Sequence, residues 1–518
     1  MAAIKATFAS RQLAFVGARS MHVKLNVSDD QSVASARPFS EVPRPGKLKF
    51  IRGFMPGGEF HDKSFLEFTT TLRQKYGDLF IMPGSFGRRD TVVTFSPKDI
   101  EMVFRNEGIW PQREGFDSLV YFREHIRPDV FGEKKGLIAT QQEEWGKFRS
   151  AVNPIFMQPK GLKMYYEPLS NINNEFIERI KEIRDPKTLE VPENFVEEMG
   201  RLIFESIALI AFNREMGIIR KRRDNPDALT LFRTSREIFQ LTFKLDVQPS
   251  IWKLVSTPTY RKMMRALNES LDVAQRMLEE SRLELEQKRK SAENMTSTSM
   301  MERLVDIDPK IALIMGIDIL FAGVDVTATF LSALLLCLSK NQGKQEKLRE
   351  ELLRVMPTKE TLLDEERMKD MPYLRAVIKE ALRFYPNGLG TFRQCQSDVT
   401  LSGYNIPKGS QILLGSNALM KDERYYPRAD EFLPERWLRD PETNKKTQIS
   451  PFTFLPFGFG PRMCIGKRIV DLEMETSLAK IIRNFYVEFN YDASKPYKSF
   501  FVMEPAIPFQ FKFTDVEQ

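Results

Sequence analysis

The pattern of apolar and polar positions opens on mixed elements and then turns helical. After Pro43 and Pro45, "FLEFTTTLRQKYGDLF" has the spacing of an amphipathic helix that stops near Gly77. "DTVVTFSPKDIEMVFRN" then predicts a strand, a Ser-Pro turn and a second helix. From about Gln141 to Lys290 helical periodicity dominates, punctuated by Pro154, Pro186, Pro226 and Pro258. Within it, Glu279 to Lys290 is nearly all polar and reads as a solvated face. Between predicted helices near Leu229–Lys244 and Tyr260–Lys288, "LDVQPSIWKLVSTP" crowds Ile251, Trp252, Leu254 and Val255 into a Pro-bounded loop. Such a tip either dips into a membrane surface or packs on the core.

The run Ile311 to Leu338 is apolar enough to suggest a membrane span, yet "AGVDVT" (Ala322 to Thr327) sits inside it. Asp318 and Asp325 lie seven apart, hence on one stripe, and each costs about 2.5 to 3.5 kcal/mol at a bilayer centre. A long buried helix whose acids face a polar cavity is the better expectation. Spanning roughly Pro309 to Lys340, it reaches about 45 to 50 Å at 1.5 Å per residue.

Length (518 residues) and 42% hydrophobic content allow a large core, and neither a repeat nor a low-complexity linker divides it. The prediction is one large body, mainly α with small β-sheets. Its three cysteines, Cys337, Cys395 and Cys464, are too scattered for a disulfide framework or a zinc site, which favours a reducing compartment. His22, His61 and His125 lie too far apart in sequence for a histidine metal centre. Any metal is expected on a single sulfur.

Net charge is +7, of which residues 1–40 carry +3, so the mildly basic remainder carries no call for nucleic acid. The first 28 residues hold Lys5, Arg11, Arg19 and Lys24 with no acid before Asp29, the composition of an organelle transit peptide. The expected division is a mitochondrial leader over residues 1–36 and a single domain over 37–518. Neither a secretory apolar region nor an N-terminal anchor of about 20 apolar residues is read there.

"FGFGPRMCIG" sets Cys464 among Gly458, Gly460, Pro461 and Gly466, just before the helix predicted from "KRIVDLEMETSLAKIIRNF". A sulfur at a helix mouth is held towards thiolate by the terminal partial charge and by amides that glycines let approach. An inert cysteine needs no such scaffold.

This stretch resembles the signature of the cytochrome P450 family, F-x-x-G-x-R-x-C-x-G, met here by Phe457, Gly460, Arg462, Cys464 and Gly466. The resemblance implies the family's fold, with a long central helix over a haem and a proximal cysteine loop. It implies haem b (iron protoporphyrin IX), with Cys464 as axial iron ligand, Phe457 beside it and Arg462 paired with a propionate. "WGKFR" resembles the family's W-x-x-x-R helix, so Trp145 and Arg149 are implied propionate holders, as is Arg393 in "TFRQCQSDV". The family's Glu-x-x-Arg network resembles Glu380 and Arg383, completed by Arg436 in "FLPERW". Glu346 with Arg349 and Glu351 with Arg354 fit that short pattern too; the Tyr-Pro after Arg383 and the later "FLPERW" select Glu380.

The leader resembles that of the family's mitochondrial branch, as do Arg375, Lys379, Lys467 and Arg468, which stand where that branch docks an acidic, adrenodoxin-like ferredoxin served by its reductase. The details are similar to insect mitochondrial members of the xenobiotic-handling kind. The implied setting is the matrix side of the inner membrane, with peripheral membrane contact.

The implied reaction is monooxygenation: one atom of O₂ enters an apolar small molecule, a xenobiotic such as an insecticide or a steroid-like compound. Forty Phe and 23 Met suit a pliable pocket, with Phe116, Phe321, Ala322, Leu389 and Phe501 as candidate linings. Two rivals are a P450-fold peroxide isomerase or lyase and a haem-based binder without turnover.

"AGVDVT" resembles the family's A/G-G-x-D/E-T-T/S, in which the glycine opens the helix and the acid and threonine feed protons. Gly323 and Asp325 match, but Val326 stands where the threonine is expected and the hydroxyl comes at Thr327. One residue turns a helical side chain by about 100°, so Thr327 is not a simple replacement.

Overall fold

A computed structural model describes residues 36–84, 89–113, 115–248, 250–290, 298–388, 390–440, 442–445, 449–499 and 502–517. The predicted leader, and the candidate linings Leu389 and Phe501, therefore lie outside the described residues.

The predicted opening elements form where local chemistry starts and stops them. Helix α1 (Phe65–Tyr76) begins on a capping box, Ser64 accepting from the Glu67 amide at 3.3 Å while Glu67 accepts from the Ser64 amide at 2.9 Å. It ends at Gly77, whose φ of 89° few other residues adopt. Strands β1 (Leu79–Met82) and β2 (Thr91–Thr94) follow, and Ser96 with Pro97 starts α2 (Pro97–Arg105). The middle block comprises α3 (Gln142–Phe156), α4 (Tyr166–Ile183), α5 (Phe195–Phe212), α6 (Pro226–Thr242) and α7 (Pro258–Lys290). One punctuation mark was misplaced by sequence: Pro154 lies inside the last turn of α3.

The long apolar run forms α8 (Pro309–Ser339), started by Pro309 and by the Asp308 carboxylate, which accepts from the Lys310 amide at 2.8 Å. At 31 residues it runs about 46 Å. It is long and apolar enough to cross a bilayer, but 72% of its most apolar window is buried inside the protein, chiefly against α5. It is a core helix. Then come α9 (Gln342–Val355), α10 (Pro372–Phe384) and, after a run of strands and loops, α11 (Lys467–Asn484), which packs along α4.

The sheets are small. β3 (Thr391–Gln394) and β6 (Gln411–Leu414) join β1 and β2 in the order β1-β2-β6-β3, with β2 and β6 parallel and the outer pairs antiparallel. Three antiparallel pairs complete the set: β4 (Val399–Leu401) with β5 (Tyr404–Ile406), β7 (Phe485–Glu488) with β10 (Lys512–Asp515), and β8 (Tyr497–Ser499) with β9 (Met503–Pro505). One apolar core fills the helical body and a second lies under the four-stranded sheet. The cysteine loop and β3 bring side chains from both together.

Candidate functional site

Of the three cysteines, Cys337 and Cys395 are buried and Cys464 is accessible. Burial pushes both covered thiols far up, Cys395 to about 12, as for packed core cysteines. Among the described residues no group of three His, Cys, Asp or Glu could hold a metal ion.

The Cys464 amide donates to the Phe457 carbonyl at 2.9 Å, closing the loop on itself at the mouth of α11. The protein still crowds the sulfur on its other sides. Burial pushes its thiol above the usual range, while the Gly466 amide, Arg149 and Arg113 pull the other way. This corrects the expectation from sequence: helix end and amides alone do not hold Cys464 as thiolate, which a bound cation does by its own charge.

Around the sulfur stand four arginines. Arg462 donates to the carbonyls of Pro111 at 2.9 Å and Thr140 at 3.2 Å, and to Gln141 Oε1 at 2.8 Å, with its guanidinium 3.9 Å above the Trp145 ring. Arg149 donates to the Met463 carbonyl at 3.0 Å, and its buried Nε has no partner. Arg393, from β3, donates to Glu107 at 2.5 Å and to the Phe459 carbonyl at 3.3 Å. Arg113, which sequence reasoning missed, is tied to Gln141 in both directions, amide to Oε1 at 3.0 Å and carbonyl from Nε2 at 2.7 Å.

Burial first, then the charges of Arg113, Arg393 and Arg149, hold the Arg462 guanidinium well below its ordinary range. Arg113 is lowered by burial and by Arg393. Among the described residues Glu107 is the carboxylate paired directly within this cluster, and burial raises it despite Arg393. Gly460 makes this approach feasible: its φ is 72°, and a Cβ there would lie 2.5 Å from Glu107 Oε1. Four guanidinium groups against one acid, with one Nε unpartnered, ask for an acidic group beside the sulfur. A haem with two propionates has that charge, so the residues present fit it.

The Glu380 network forms as expected and is larger. Glu380 and Arg383 are fully buried and share two hydrogen bonds, 3.0 and 2.8 Å, and Arg436 Nε adds a third at 3.1 Å. Trp437 donates to Glu380 at 2.8 Å, as does the Leu433 amide at 2.9 Å, while Arg383 caps the carbonyls of Met420, Ala429 and Glu431. Every charge has partners, the condition under which a buried pair is tolerated.

On α8 three expectations change. Asp318 and Asp325 do not share a polar cavity: Asp318 is ion-paired with Arg123 at 2.5 Å and Asp325 with Arg236 of α6 at 2.8 Å. Neither arginine carries a sequence signal. Gly323 does not open the helix, which is continuous; a Cβ there would lie 2.6 Å from Ile207 Cδ1, so the glycine serves close packing of α5. Thr327 is buried at 2% exposure, whereas Ile319, Ala322 and Val326 form an accessible stripe at i, i+3 and i+7. The valine, not the threonine, faces the open side. Beside it Phe116 and Phe239 close on Phe321, with ring centroids 6.2 and 5.7 Å apart.

Two of the basic residues near the loop carry their own acids. Arg375 lies 3.5 Å from Glu475, and Lys467 pairs with Asp471 one turn along α11. Lys467 also sits 5.2 Å from the Phe457 ring centroid, and Arg468 Nε is buried without a partner. The Pro-bounded tip exposes Ile251, Leu254 and Val255 at 55, 86 and 57%, while Trp252 is buried.

Comparison with known proteins agrees with this geometry. The cytochrome P450 family profile matches residues 43–513. "Probable cytochrome P450 12d1 proximal, mitochondrial" of Drosophila melanogaster is 72% identical over 93% of this chain and 92% of its own. "Cytochrome P450 CYP12A2" of Musca domestica is 45% identical over the same shares, and "Cytochrome P450 12b1, mitochondrial" of Drosophila acanthoptera 35% over 92 and 90%.

Proposed function

Because the chain belongs to the cytochrome P450 family, and is thus a haem b enzyme and a monooxygenase, we propose that it oxidises an apolar small molecule with electrons from an adrenodoxin-like ferredoxin. Its setting in this reading is the matrix side of the mitochondrial inner membrane. The relatives' mitochondrial names and the acid-free basic leader support the compartment.

The observation that carries the reading is the accessible Cys464 in a loop held by four arginines, of which Arg393 alone is ion-paired with Glu107. Cys464 would ligate the iron; Arg113, Arg149, Arg393 and Arg462 would take the propionates, with Trp145 under Arg462 and Phe457 fixing the loop. Bound haem supplies the activation of O₂. The chain's residues do the rest. The Glu380–Arg383–Arg436 network holds the segment before the loop against α10. Phe116, Phe239 and Phe321 exclude water and wall the substrate, which is therefore apolar. Asp325, held by Arg236, places a carboxylate that can relay protons beside the accessible stripe of α8. Gly323 contributes by letting α5 approach, and Thr327 lies on the covered side.

Electron delivery falls to Arg375 and Lys379 on α10 and to Lys467 and Arg468 at the start of α11, whose charge suits an acidic partner. The tip at Ile251, Leu254 and Val255 meets the membrane. Among substrates, a xenobiotic such as an insecticide fits this pliable aromatic wall as a steroid-like compound does.

Val326 in the threonine's place favours a second reading, peroxide rearrangement without external electrons. A reconstituted assay separates them. Substrate-dependent O₂ uptake that needs ferredoxin and its reductase is the expected result; rearrangement of a peroxide without reductant would replace this proposal with the second. Cys464→Ser is expected to remove the carbon monoxide absorbance band of a thiolate-ligated haem, and survival of that band would refute the ligand assignment.

A further inference from the structure

A cavity of about 550 Å³ opens at the base of the apolar tip, away from Cys464. Residues 252–256 form one wall, and Asp117, Val120, Tyr121, Glu124, His125 and Tyr260 line the others. The wall and the tip are thus one continuous segment, and Leu254 and Val255 belong to both. If the tip enters a membrane, the cavity mouth sits among headgroups.

The lining is aromatic and charged in a particular balance. Trp252 and Tyr260 stack within 8° of parallel, their centroids 5.6 Å apart, and Tyr121 stands across both at 76° and 69°. Trp252 is pinned by its indole N–H, which donates to the Leu245 carbonyl at 3.2 Å. Asp117 accepts from Lys253 at 2.5 Å, and Glu124 from Lys135 at 2.8 Å. Lys253 is the lining lysine, and it is already neutralised. The two carboxylates are paired as fully as the lysine, so a ligand of net charge of either sign gains little, whereas a zwitterion meets ring faces for its cation and a balanced set of charges for its two ends.

We propose that this cavity binds the ammonium-bearing headgroup of a zwitterionic phospholipid, the ammonium against Tyr121 and the carboxylate of Glu124 and the phosphate towards Lys253. The site rests on the membrane reading of the tip above, and it adds a headgroup preference that an apolar tip alone cannot have. It would seat the tip at one depth and one orientation, because the headgroup is fixed in a walled cavity instead of a flat surface.

The test uses the haem-loaded full chain with two water-soluble probes of equal chain length, dihexanoylphosphatidylcholine and dihexanoylphosphatidylglycerol, each below micelle formation and titrated by calorimetry. The choline probe is expected to bind about tenfold tighter, and Tyr121→Leu or Glu124→Gln to erase most of that preference. The carbon monoxide band of each variant reports that the fold is intact. Equal binding of the two probes, or a preference that survives both variants, overturns the headgroup site. Leu254→Glu with vesicles of the matching long-chain lipids separates the two ideas: vesicle capture that depends on Leu254 but not on headgroup keeps the membrane reading and sinks this one. Absence of vesicle capture by the unaltered protein sinks both.

Discussion

Arg236 of α6 donates from Nε to Asp325 Oδ1 at 2.8 Å, pinning the central helix's acid to the helix that covers it. Burial pushes the Asp325 carboxyl up and Arg236 brings it back part of the way; Glu504 on β9, itself raised by burial and by Asp325, stands behind. An acid so placed can relay protons, and its partner sets how readily it takes one up. Asp325→Asn is expected to slow turnover by about 100-fold, the low end of general acid–base effects. Arg236→Ala is expected to lower turnover less and to raise the solvent isotope effect, with Arg236→Lys restoring part. Arg236 is then a positioning residue. Unchanged isotope effects across the series would show that protons bypass Asp325.

Val326 shares the accessible stripe of Ile319 and Ala322, while Thr327 is buried. A hydroxyl placed at 326 would therefore face the open side beside Asp325, as the native Thr327 hydroxyl does not. Val326→Thr is expected to raise the product formed per reducing equivalent consumed, read from paired measurements of reductant oxidation and product. The swap is nearly isosteric, but it adds a polar group, so the thermal midpoint should fall slightly. No rise in coupling would mean that the valine's position already receives protons by ordered water.

The legible and illegible parts of the molecule divide along one physical line. Features written in local spacing could be read: the Gly77 stop, α8 and the cysteine loop each depend on residues within a few positions. Side-chain partners distant in sequence could not. Arg123 meets Asp318 across 195 positions and Arg236 meets Asp325 across 89, and neither arginine sits in a pattern that announces its partner. Arg113 joins the arginine cluster through Gln141, 28 positions on, without periodic signal. Trp437 was within reach, since it directly follows Arg436 in "FLPERW", and an indole N–H beside a buried network seeks an acceptor. Gly323 was read as an opening because one sequence cannot show what a missing side chain faces; here it is Ile207.

Glu475 makes the basic patch sensitive to pH. Burial raises its carboxyl to about 7, although Arg375, Lys467 and Lys379 all pull it down. Below that value the acid is neutral and Arg375 presents an uncompensated charge; above it Glu475 ionises and offsets Arg375 at 3.5 Å. Docking of an acidic ferredoxin should thus tighten as pH falls through about 7, by roughly two- to fivefold, the worth of one partly screened charge. Glu475→Gln is expected to flatten that dependence and to bind more tightly on the alkaline side. The measurement is the ferredoxin concentration at half-maximal turnover, at low salt, across the range. A profile unchanged by the substitution would place the partner elsewhere on the surface.

Glu473, nine positions after Cys464 on α11, is buried, and neither of its carboxyl oxygens has a partner. Burial alone raises its carboxyl well above the ordinary 4.5. The folded state therefore holds this proton more tightly than the unfolded chain does. Its stabilising contribution is present in full below the unfolded value near 4.5 and is lost as pH rises through the folded value. Glu473→Gln removes the titration while keeping size and shape. Relative to the unaltered protein, the Gln variant should lose less stability between about pH 5 and the alkaline side. Glu473→Met, which removes the unsatisfied group, should stabilise by about 1 to 3 kcal/mol at neutral pH. Thermal midpoints of the haem-loaded protein across pH decide this. Parallel curves for Glu and Gln would mean that position 473 keeps a partner for its charge, and a destabilised Met variant would mean that α4 and α11 hold ordered water there which the carboxyl satisfies.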